Sequence, residues 1–245
     1  MTEDFLAYKV TGACKVEDFT EGRFLLLDKP YTWSSFDIVN KIRILLRHYL
    51  GLKKIKVGHA GTLDPLATGL MIICTGKMTK KIDLLMGMDK EYIADITLGG
   101  TTPSFDLETE INERFDYAHI RESEIQNALV GFAGVQMQLP PMFSAIRING
   151  KRAYQHARKG EEVALQPRKV TFNELGLIGY TPPVAQVRIN CSKGTYIRSF
   201  ANDLGKALNT GAHLSALKRT KTGSYLLENA LTMETFENCL KTITE

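Results

Sequence analysis

The sequence predicts an α+β fold with a central mixed, mainly antiparallel sheet flanked by helices. Short apolar runs bounded by glycine or proline indicate strands, and amphipathic stretches indicate helices. The two kinds of segment are interspersed without the regular strand–helix–strand alternation that is typical of a parallel sheet. The 245 residues, of which 44% are apolar, are enough to bury a sizeable core.

Five stretches have the composition of strands. Proline follows the first of them, and glycines stand on both sides of the third, so their limits are set by residues that interrupt regular backbone. The predicted strands are Phe24–Asp28, Lys54–Val57, Leu70–Cys74, Glu91–Leu98 and Val184–Cys191.

Three longer segments and one short one have the periodicity of helices. The first begins at Ser34 or Ser35, which suits an N-cap, repeats apolar residues at helical spacing and stops at Gly51. The others are Glu122–Val130, Tyr196–Leu208 and a short C-terminal helix capped at Thr232. The dipeptide Asn149-Gly150 predicts a tight turn.

The distribution of charge is more informative than the net charge of +4. Residues 38–63 hold six basic side chains and no acid, and residues 141–170 hold seven bases and two acids, a net of 7 − 2 = +5. Residues 106–124 hold seven acids and two bases, a net of −5. Any one run is equally compatible with a solvated surface. Their segregation favours a face that binds a polyanion such as a nucleic acid.

Several classes of protein are disfavoured by composition. The four cysteines (Cys14, Cys74, Cys191 and Cys239) lie far apart, which argues against a zinc site or a disulfide framework and favours reduced thiols in a cytoplasm. The histidines show no metal-ligand spacing. The N-terminus lacks a signal-peptide pattern, and no apolar run has the length of a membrane span. A cytoplasmic protein without a bound metal is expected.

The loop Gly58–Gly69 contains the most suggestive carboxylate. It connects two predicted strands and contains three glycines, and Pro65 restricts the preceding Asp64 to an extended or turn conformation. A carboxylate presented in this way suits nucleophilic or electrostatic catalysis. On spacing alone, an Asx-turn that caps its own loop is the commoner outcome. The loop lacks the pattern of a nucleotide-binding P-loop, and no second carboxylate lies close in sequence.

The segment Gly58-His-Ala-Gly-Thr-Leu-Asp-Pro-Leu-Ala-Thr-Gly69 resembles the central motif of the TruB family, the bacterial tRNA pseudouridine-55 synthases. Other segments resemble further motifs of that family and occur in the same order, from about residue 24 to residue 223. They are Leu25–Pro30 with Ser34 and Ser35, Lys90–Ile93, Leu98–Asp106, Gln138–Pro141 with Ser144, Ala145, Gly150, Tyr154, Ala157 and Arg158, Cys191–Arg198, Asp203–Gly205 and Ala212–Thr220.

The resemblance implies a pseudouridine-synthase fold and its activity on tRNA. Residues 1–230 would form the catalytic domain, interrupted by a thumb-like basic insertion at about 141–170. Residues 231–245 would be a short helix or tail, without the PUA-type module that many bacterial members carry. The expected reaction isomerises the T-loop uridine at position 55 of tRNA, without a cofactor or a metal. The expected enzyme acts as a monomer, without a membrane or a protein partner.

The resemblance also implies a role for individual residues. Asp64 would be the essential carboxylate, which either adds to C1′ of the ribose or removes the C2′ proton. Arg198 would pair with Asp64, with a surface helix charge as the alternative. Tyr92 would stack on the flipped base, while Tyr196 and Leu217 would line the uridine pocket.

Contacts with the rest of the RNA follow from the same resemblance. His59 would contact the loop where bases have been displaced, and Lys29 would support the pocket floor or serve a purely structural role. The insertion would close on the T-arm of tRNA, and the acidic residues 106–124 would face away from the RNA. The candidate phosphate contacts in the insertion are Lys151, Arg152, Arg158 and Lys159.

Three other functions are compatible with parts of the sequence. They are a non-catalytic RNA-binding module or tRNA chaperone, the catalytic subunit of a guide-RNA ribonucleoprotein, and a small-molecule hydrolase with an Asp nucleophile. The presence of Asp64, Tyr92, Tyr196 and Arg198 together weighs against the first of these. The short N-terminus and the absence of a C-terminal module weigh against the second, and the basic runs are unexplained by the third.

Overall fold

The computed structural model describes residues 16–144, 146–148, 150–157, 161 and 163–244. Within them the helices are α1 Val16–Glu21, α2 Ser35–Leu50, α3 Ile82–Met86, α4 Glu122–Phe132, α5 Ala153–Ala157, α6 Ile197–Ala207 and α7 Met233–Thr244. The strands are β1 Phe24–Lys29, β2 Val57–His59, β3 Ala67–Thr75, β4 Lys90–Leu98, β5 Gly100–Thr101, β6 Glu113–Arg114, β7 Gly134–Gln138, β8 Arg147–Ile148, β9 Lys151–Arg152, β10 Arg168–Thr181, β11 Val184–Cys191, β12 Ala212–Thr222 and β13 Tyr225–Leu226. Short 3-10 turns span Gly76–Lys81 and Leu227–Asn229.

The chain divides into two compact units. The first comprises Met1–Lys90 and Lys218–Glu245, and the second comprises Glu91–Leu217. Antiparallel pairing dominates the strand pairs of both units, which confirms the predicted α+β class with a mainly antiparallel sheet. No helix within the described ranges combines the length and the apolar character needed to cross a membrane.

In the first unit, β3 pairs with both β1 and β2 in antiparallel fashion. The register sets Phe24 opposite Cys74 and Lys29 opposite Gly69. The end of β1 and the start of β3 therefore lie at the same end of the strand pair. As a consequence, the chain that leaves β1 and the loop that enters β3 are neighbours.

Helix α2 forms because both of its ends are capped. Ser34 and Asp37 make a reciprocal capping box at its start, and Gly51 takes a left-handed conformation with φ of 65° at its end. Its buried face packs within the first unit, and the Tyr49 hydroxyl donates to Glu237 Oε1 of α7 at 3.1 Å. The predicted helix from Ser34 or Ser35 to Gly51 is confirmed.

In the second unit the strands follow the order β4-β11-β10-β7. Strand β10 is antiparallel to both β11 and β7. Helix α6 covers this part of the sheet, with the Phe200 ring 5.0 Å from that of Phe172 and 5.3 Å from that of Phe132. This aromatic cluster fixes the start of α6, where two candidate site residues lie.

The insertion between β7 and β10 leaves and re-enters the sheet at paired residues, since Gln138 lies opposite Arg168. It contains the β8–β9 hairpin, in which Ile148 pairs with Lys151, followed by α5. The hairpin leaves two residues for its turn, and Gly150 has a φ of 82°. Asn149 of the predicted turn lies outside the described residues.

Most of the predicted elements are confirmed, with one clear error. The strand predicted at Lys54–Val57 is wrong, because residues 53–54 form a bend, residues 55–56 are irregular, and β2 begins at Val57, where pairing with Thr75 of β3 starts. The long strands β10 and β12 were not predicted from their composition. Four of the five predicted strands and the helices α2, α4 and α6 agree with the structure within a few residues.

Candidate active site

Asp64 lies half-buried in the loop between β2 and β3 of the first unit. The backbone closes the turn around it, since the Ala67 N–H donates to the Asp64 carbonyl at 3.1 Å. Pro65 follows at once, so the backbone of Asp64 has little freedom. The position of this carboxylate therefore depends on how its two neighbours in the loop are held.

The residue before Asp64 is held by the first residue of α2. The buried Ser35 hydroxyl donates to the Leu63 carbonyl at 2.9 Å and accepts from the Leu63 N–H at 2.8 Å. Ser35 is 4% exposed, so both bonds are shielded from water. One hydroxyl thus satisfies both backbone groups of Leu63.

The residue after Asp64 is held by Lys29, at the end of β1. The fully buried Lys29 ammonium donates to the carbonyls of Pro30, Trp33 and Pro65, the last at 3.2 Å. Burial lowers the pKa of Lys29 to about 8, against the opposing effect of the Asp64 charge. Lys29 therefore ties the turn after β1 to the Asp64 loop, which favours the structural role considered for it in the sequence.

Arg219 on β12 holds both ends of the same loop, and the sequence patterns did not single it out. It is 1% exposed, its Nε donates to the Leu70 carbonyl at 2.6 Å, and its Nη2 donates to the Gly61 carbonyl at 3.3 Å. Gly69, with φ of 100°, lies so close to the Arg219 backbone that a Cβ would come within 2.4 Å of its carbonyl oxygen. The loop is thus fixed at its start, its centre and its end.

His59 at the end of β2 is half-buried beside this loop. Burial lowers its pKa below the ordinary value, and the Arg219 charge contributes in the same direction. Its buried Nδ1 has no hydrogen-bond partner among the residues that the structure describes. The lowered pKa favours the neutral imidazole, whose Nδ1 can take part in one further hydrogen bond.

In the second unit, Gln138 fixes Tyr196 at the start of α6. The Gln138 Nε2 donates to the Tyr196 carbonyl at 3.0 Å, and the Tyr196 N–H donates to Gln138 Oε1 at 2.8 Å. The Arg168 guanidinium lies 5.0 Å from the centre of the Tyr196 ring, within cation–π range. Gln138 is 3% exposed, so this amide pair is a rigid and buried contact.

Arg198, two residues further along, is buried and not a surface charge. It is 3% exposed, and its two Nη atoms donate to the carbonyls of Ser104 at 3.3 Å and Phe143 at 3.0 Å. Its Nε lies 3.6 Å from Asp106 Oδ2. The alternative of a solvated helix charge is therefore wrong.

Asp106 departs from the expectation for the acidic run that it begins. It is 4% exposed and contacts Arg198, whereas the other six acids of residues 106–124 are exposed. Asp106 is thus part of the buried polar network of the second unit. The acidic surface consists of the six acids from Glu108 to Glu124.

The other two predicted pocket residues of the second unit are also buried. Tyr92 on β4 is 8% exposed, and Leu217 on β12 is 9% exposed. Tyr92 shares its face of the strand with Ala94 and Ile96, both fully buried.

Arg158 and Lys159, predicted to contact phosphates, lie outside the described residues, as does Ala145.

The structure thus groups the predicted residues into two sets. Lys29, His59 and Asp64 come together in the first unit, where Ser35 and Arg219 complete the network. The second unit contains Tyr92, Tyr196, Arg198 and Leu217. In that unit Asp106 contacts Arg198 on α6, and Gln138 holds Tyr196, which directly precedes α6. Across the described residues, no cluster of three or more His, Cys, Asp or Glu side chains could bind a metal ion.

Comparison with known sequences decides the family. The model of the TruB family pseudouridylate synthase N-terminal domain matches residues 47–197, and that of the tRNA pseudouridylate synthase B C-terminal domain matches residues 198–245. The chain belongs to the TruB family. It is therefore a pseudouridylate synthase, an isomerase. The matched ranges contain every site residue predicted from the sequence except Lys29.

Two curated relatives extend the TruB match over most of the chain. The tRNA pseudouridine synthase B of Flavobacterium johnsoniae is 52% identical over 226 residues, which are 92% of this chain and 99% of the relative. That of Phocaeicola vulgatus is 52% identical over 223 residues, covering 91% and 95%. The similarity therefore includes strand β1, which ends at Lys29.

Solved structures show the same fold in larger chains. An H/ACA ribonucleoprotein bound to a substrate RNA containing 2′-deoxyuridine contains a chain that is 25% identical, with a TM-score of 0.64 over 90% of this chain. A Cbf5-Nop10-Gar1 complex contains one that is 26% identical, with a TM-score of 0.69 over 92%. This chain spans only 53% and 56% of those two chains. The much higher identity to the TruB relatives disfavours a ribonucleoprotein subunit.

Proposed function

We propose that this TruB-family synthase converts the T-loop uridine at position 55 of tRNA into pseudouridine, with Asp64 as the essential carboxylate. The observation that carries the proposal is the buried clamping of the Asp64 loop, by Ser35 on one side and by Lys29 on the other. Catalysis depends on such fixed geometry, because a misplacement of about 1 Å can cost about 100-fold in rate. Relatives named tRNA pseudouridine synthase B support tRNA as the substrate.

The reaction is an isomerisation that needs no outside oxidant or reductant. The bond between N1 of uracil and C1′ breaks, the base turns, and C5 bonds to C1′. The C5 proton is then lost while N1 gains one, so atoms and charge balance. Asp64 acts either by adding to C1′, in which case its bond to C1′ breaks as C5 bonds there, or by removing the C2′ proton, which it returns to C2′ in that step. Both routes require it to be ionised. The proposed pairing with the Arg198 guanidinium would favour that ionised form.

The target uridine must leave its stack before the carboxylate can reach the ribose. Flipping costs a few kcal/mol, and stacking on one aromatic ring returns about 1–3 kcal/mol per base. In the proposal Tyr92 supplies that ring, Tyr196 and Leu217 line the pocket, and His59 contacts the displaced bases. Because uracil is neutral, buried apolar and aromatic side chains suit it.

The basic insertion between β7 and β10 is proposed to bind the T-arm through its phosphates. RNA helices are recognised mainly through shape, phosphates and unpaired bases. Lys151 and Arg152 are placed next to the hairpin turn by the pairing of β8 with β9. We further propose that the enzyme is cytoplasmic and monomeric and that it acts without a protein partner or a cofactor. Light scattering of the purified protein tests the oligomeric state.

The central test is to map pseudouridine in an unmodified tRNA and in a T-arm stem-loop after treatment with the purified protein and EDTA. Conversion at position 55 alone is expected. A matched stem-loop with cytidine at that position should remain unmodified. Absence of pseudouridine at position 55 would contradict the proposal.

Asp64→Asn is expected to abolish turnover while leaving RNA affinity within a few-fold, because the amide keeps the size of the side chain and loses the charge. Asp83→Asn is a matched control, since Asp83 is exposed on α3 and lies outside the Asp64 loop. Single-turnover assays should show normal conversion for the control. Normal conversion by Asp64→Asn would remove Asp64 from its proposed role.

Reversing Lys151 and Arg152 to glutamate is expected to weaken binding of the T-arm and to reduce its salt dependence. Each lost phosphate contact lowers the slope of log affinity against log salt by about 0.7–0.9. Filter binding between low and moderate salt measures both quantities. An unaltered slope would show that the insertion does not bind phosphates.

A further inference from the structure

Two exposed aromatic side chains flank the residues that hold the Asp64 loop. Tyr31, 52% exposed, precedes Thr32, whose N–H donates to the Pro65 carbonyl at 3.0 Å. Phe36, 64% exposed, follows Ser35, whose hydroxyl holds Leu63. Neither ring is needed for the clamps, which act through neighbouring groups. Exposed rings in these positions can stack on bases.

The exposed face of α2 extends from Phe36 toward a basic end. Phe36, Ile44 and Arg47 are exposed and recur at intervals of eight and three residues, so they share one face of the helix. Arg47 lies about 16 Å along the axis from Phe36, at about 1.5 Å per residue. Residues 38–63 contain no acid, so beyond the exposed Asp37 in the first turn of α2 the charged side chains of this stretch are all basic.

The segment after α2 adds exposed lysines on a fixed backbone. Lys53, Lys54 and Lys56 are exposed. The segment is held at its end, since Arg43 Nη2 of α2 donates to the Val57 carbonyl at 2.7 Å and the Gly76 N–H donates to the Lys56 carbonyl at 2.9 Å. It continues directly into His59, which belongs to the candidate site.

We propose that these residues form a second RNA-binding surface, the α2 surface, made of Tyr31, Phe36, Ile44, Arg47, Lys53, Lys54 and Lys56. Its occupant is the RNA strand that flanks the target uridine. Bases next to the target stack on Tyr31 and Phe36, and phosphates further along contact the lysines after α2. Exposed aromatic rings beside the catalytic loop can stack on bases, and the exposed basic side chains that follow can contact phosphates. A nucleic-acid strand offers both groups, whereas an acidic protein surface offers no bases to stack. The inference rests on the proposed function, because a T-arm RNA is its probe.

The first experiment uses Trp33, the one tryptophan of the chain, which lies between the two rings in sequence. Titrating the Asp64→Asn protein with a T-arm stem-loop is expected to change the Trp33 emission, since bases that stack on either neighbour alter its surroundings. The change should saturate with the Kd from filter binding. An emission that stays constant while RNA binds would contradict the α2 surface.

The second experiment separates stacking from apolar contact. Tyr31→Leu with Phe36→Leu is expected to weaken T-arm binding about tenfold, whereas Tyr31→Phe with Phe36→Tyr should bind like the parent protein. Lys53→Ala with Lys54→Ala is expected to reduce the slope of log affinity against log salt by about 1–2. Lys206→Ala with Lys241→Ala is the control with the same loss of charge on exposed helix ends.

Equal binding by the leucine pair and the parent, or an equal salt slope for both lysine pairs, would overturn the inference. So would a dimer that the leucine pair dissociates, since a second copy would then cover the surface. A failure of the proposed function is distinguishable, because it appears as the absence of pseudouridine with the unaltered protein. A failure of this inference leaves that conversion intact.

Discussion

Removing the Ser35 hydroxyl is expected to reduce both stability and turnover. In Ser35→Ala, the buried N–H and carbonyl of Leu63 each lose a partner, at 2.8 and 2.9 Å in the structure. An unsatisfied buried backbone group costs about 1–3 kcal/mol, so the free energy of unfolding should fall by about 3 kcal/mol in total. For a chain of this size, that corresponds to a Tm lower by about 6–12 °C.

The effect on catalysis should exceed what the loss of stability explains. Leu63 precedes Asp64, so releasing it lets the carboxylate move, and kcat is expected to drop by about 100-fold. RNA affinity should remain within a few-fold, since Ser35 is buried and offers no RNA contact. Single-turnover assays at saturating T-arm RNA, well below the Tm, measure the rate of the chemical step.

Ser34→Ala is the matched control on the adjacent residue. Its hydroxyl accepts from the Asp37 N–H at 3.1 Å and caps α2 without contact to Leu63. Loss of that cap should cost about 1 kcal/mol and leave kcat unchanged. If Ser35→Ala lost stability but kept kcat, the hydroxyl would be structural only, and the link between the clamp and catalysis would be refuted.

Two other residues give sharp expectations. Asp64→Asn should lower the pKa of Lys29 below about 8, because the carboxylate opposes the effect of burial; an NMR titration of the lysine Cε signals that showed no decrease would contradict this. The pKa of Lys29 in the folded protein lies below its ordinary value of 10.5, so between about pH 8 and 10.5 Lys29 binds more protons in the unfolded chain than in the folded one. Lys29 should therefore make the free energy of unfolding rise with pH in that window. Urea unfolding of Lys29→Met should lack that increment. Gln138→Glu can still accept from the Tyr196 N–H but cannot donate to its carbonyl, so KM should rise with little change in kcat, and Gln136→Glu on the same strand should match the parent.

Local signals were sufficient for much of the fold. Helix α2 was predictable because its caps, Ser34 and Gly51, and its apolar spacing all lie within one segment. The β2 strand was misplaced because its limits depend on pairing with β3, and that partner is remote in sequence. A short alternating run without its partner does not specify where pairing starts.

The candidate site shows a similar division. Asp64, Tyr196 and Arg198 could be identified because the resemblance rests on side chains that a motif preserves. Arg219 could not be selected, because its acceptors are the carbonyls of Gly61 and Leu70, and every residue has a carbonyl. Because a backbone carbonyl is the same in every residue type, the sequence does not show which carbonyls accept hydrogen bonds from Arg219. The sequence of a strand also does not show whether its arginine is buried.

The antiparallel pairing of Gln138 with Arg168 has a consequence for how the enzyme can change. The sheet holds the two ends of this segment next to each other, so the sheet can form with an insertion of any length. Lengthening such a loop costs little free energy, about 0.6 kcal/mol for each doubling of its length. The insertion between them can therefore be shortened, extended or exchanged for that of another synthase. Substrate range can diverge there while the catalytic scaffold stays constant.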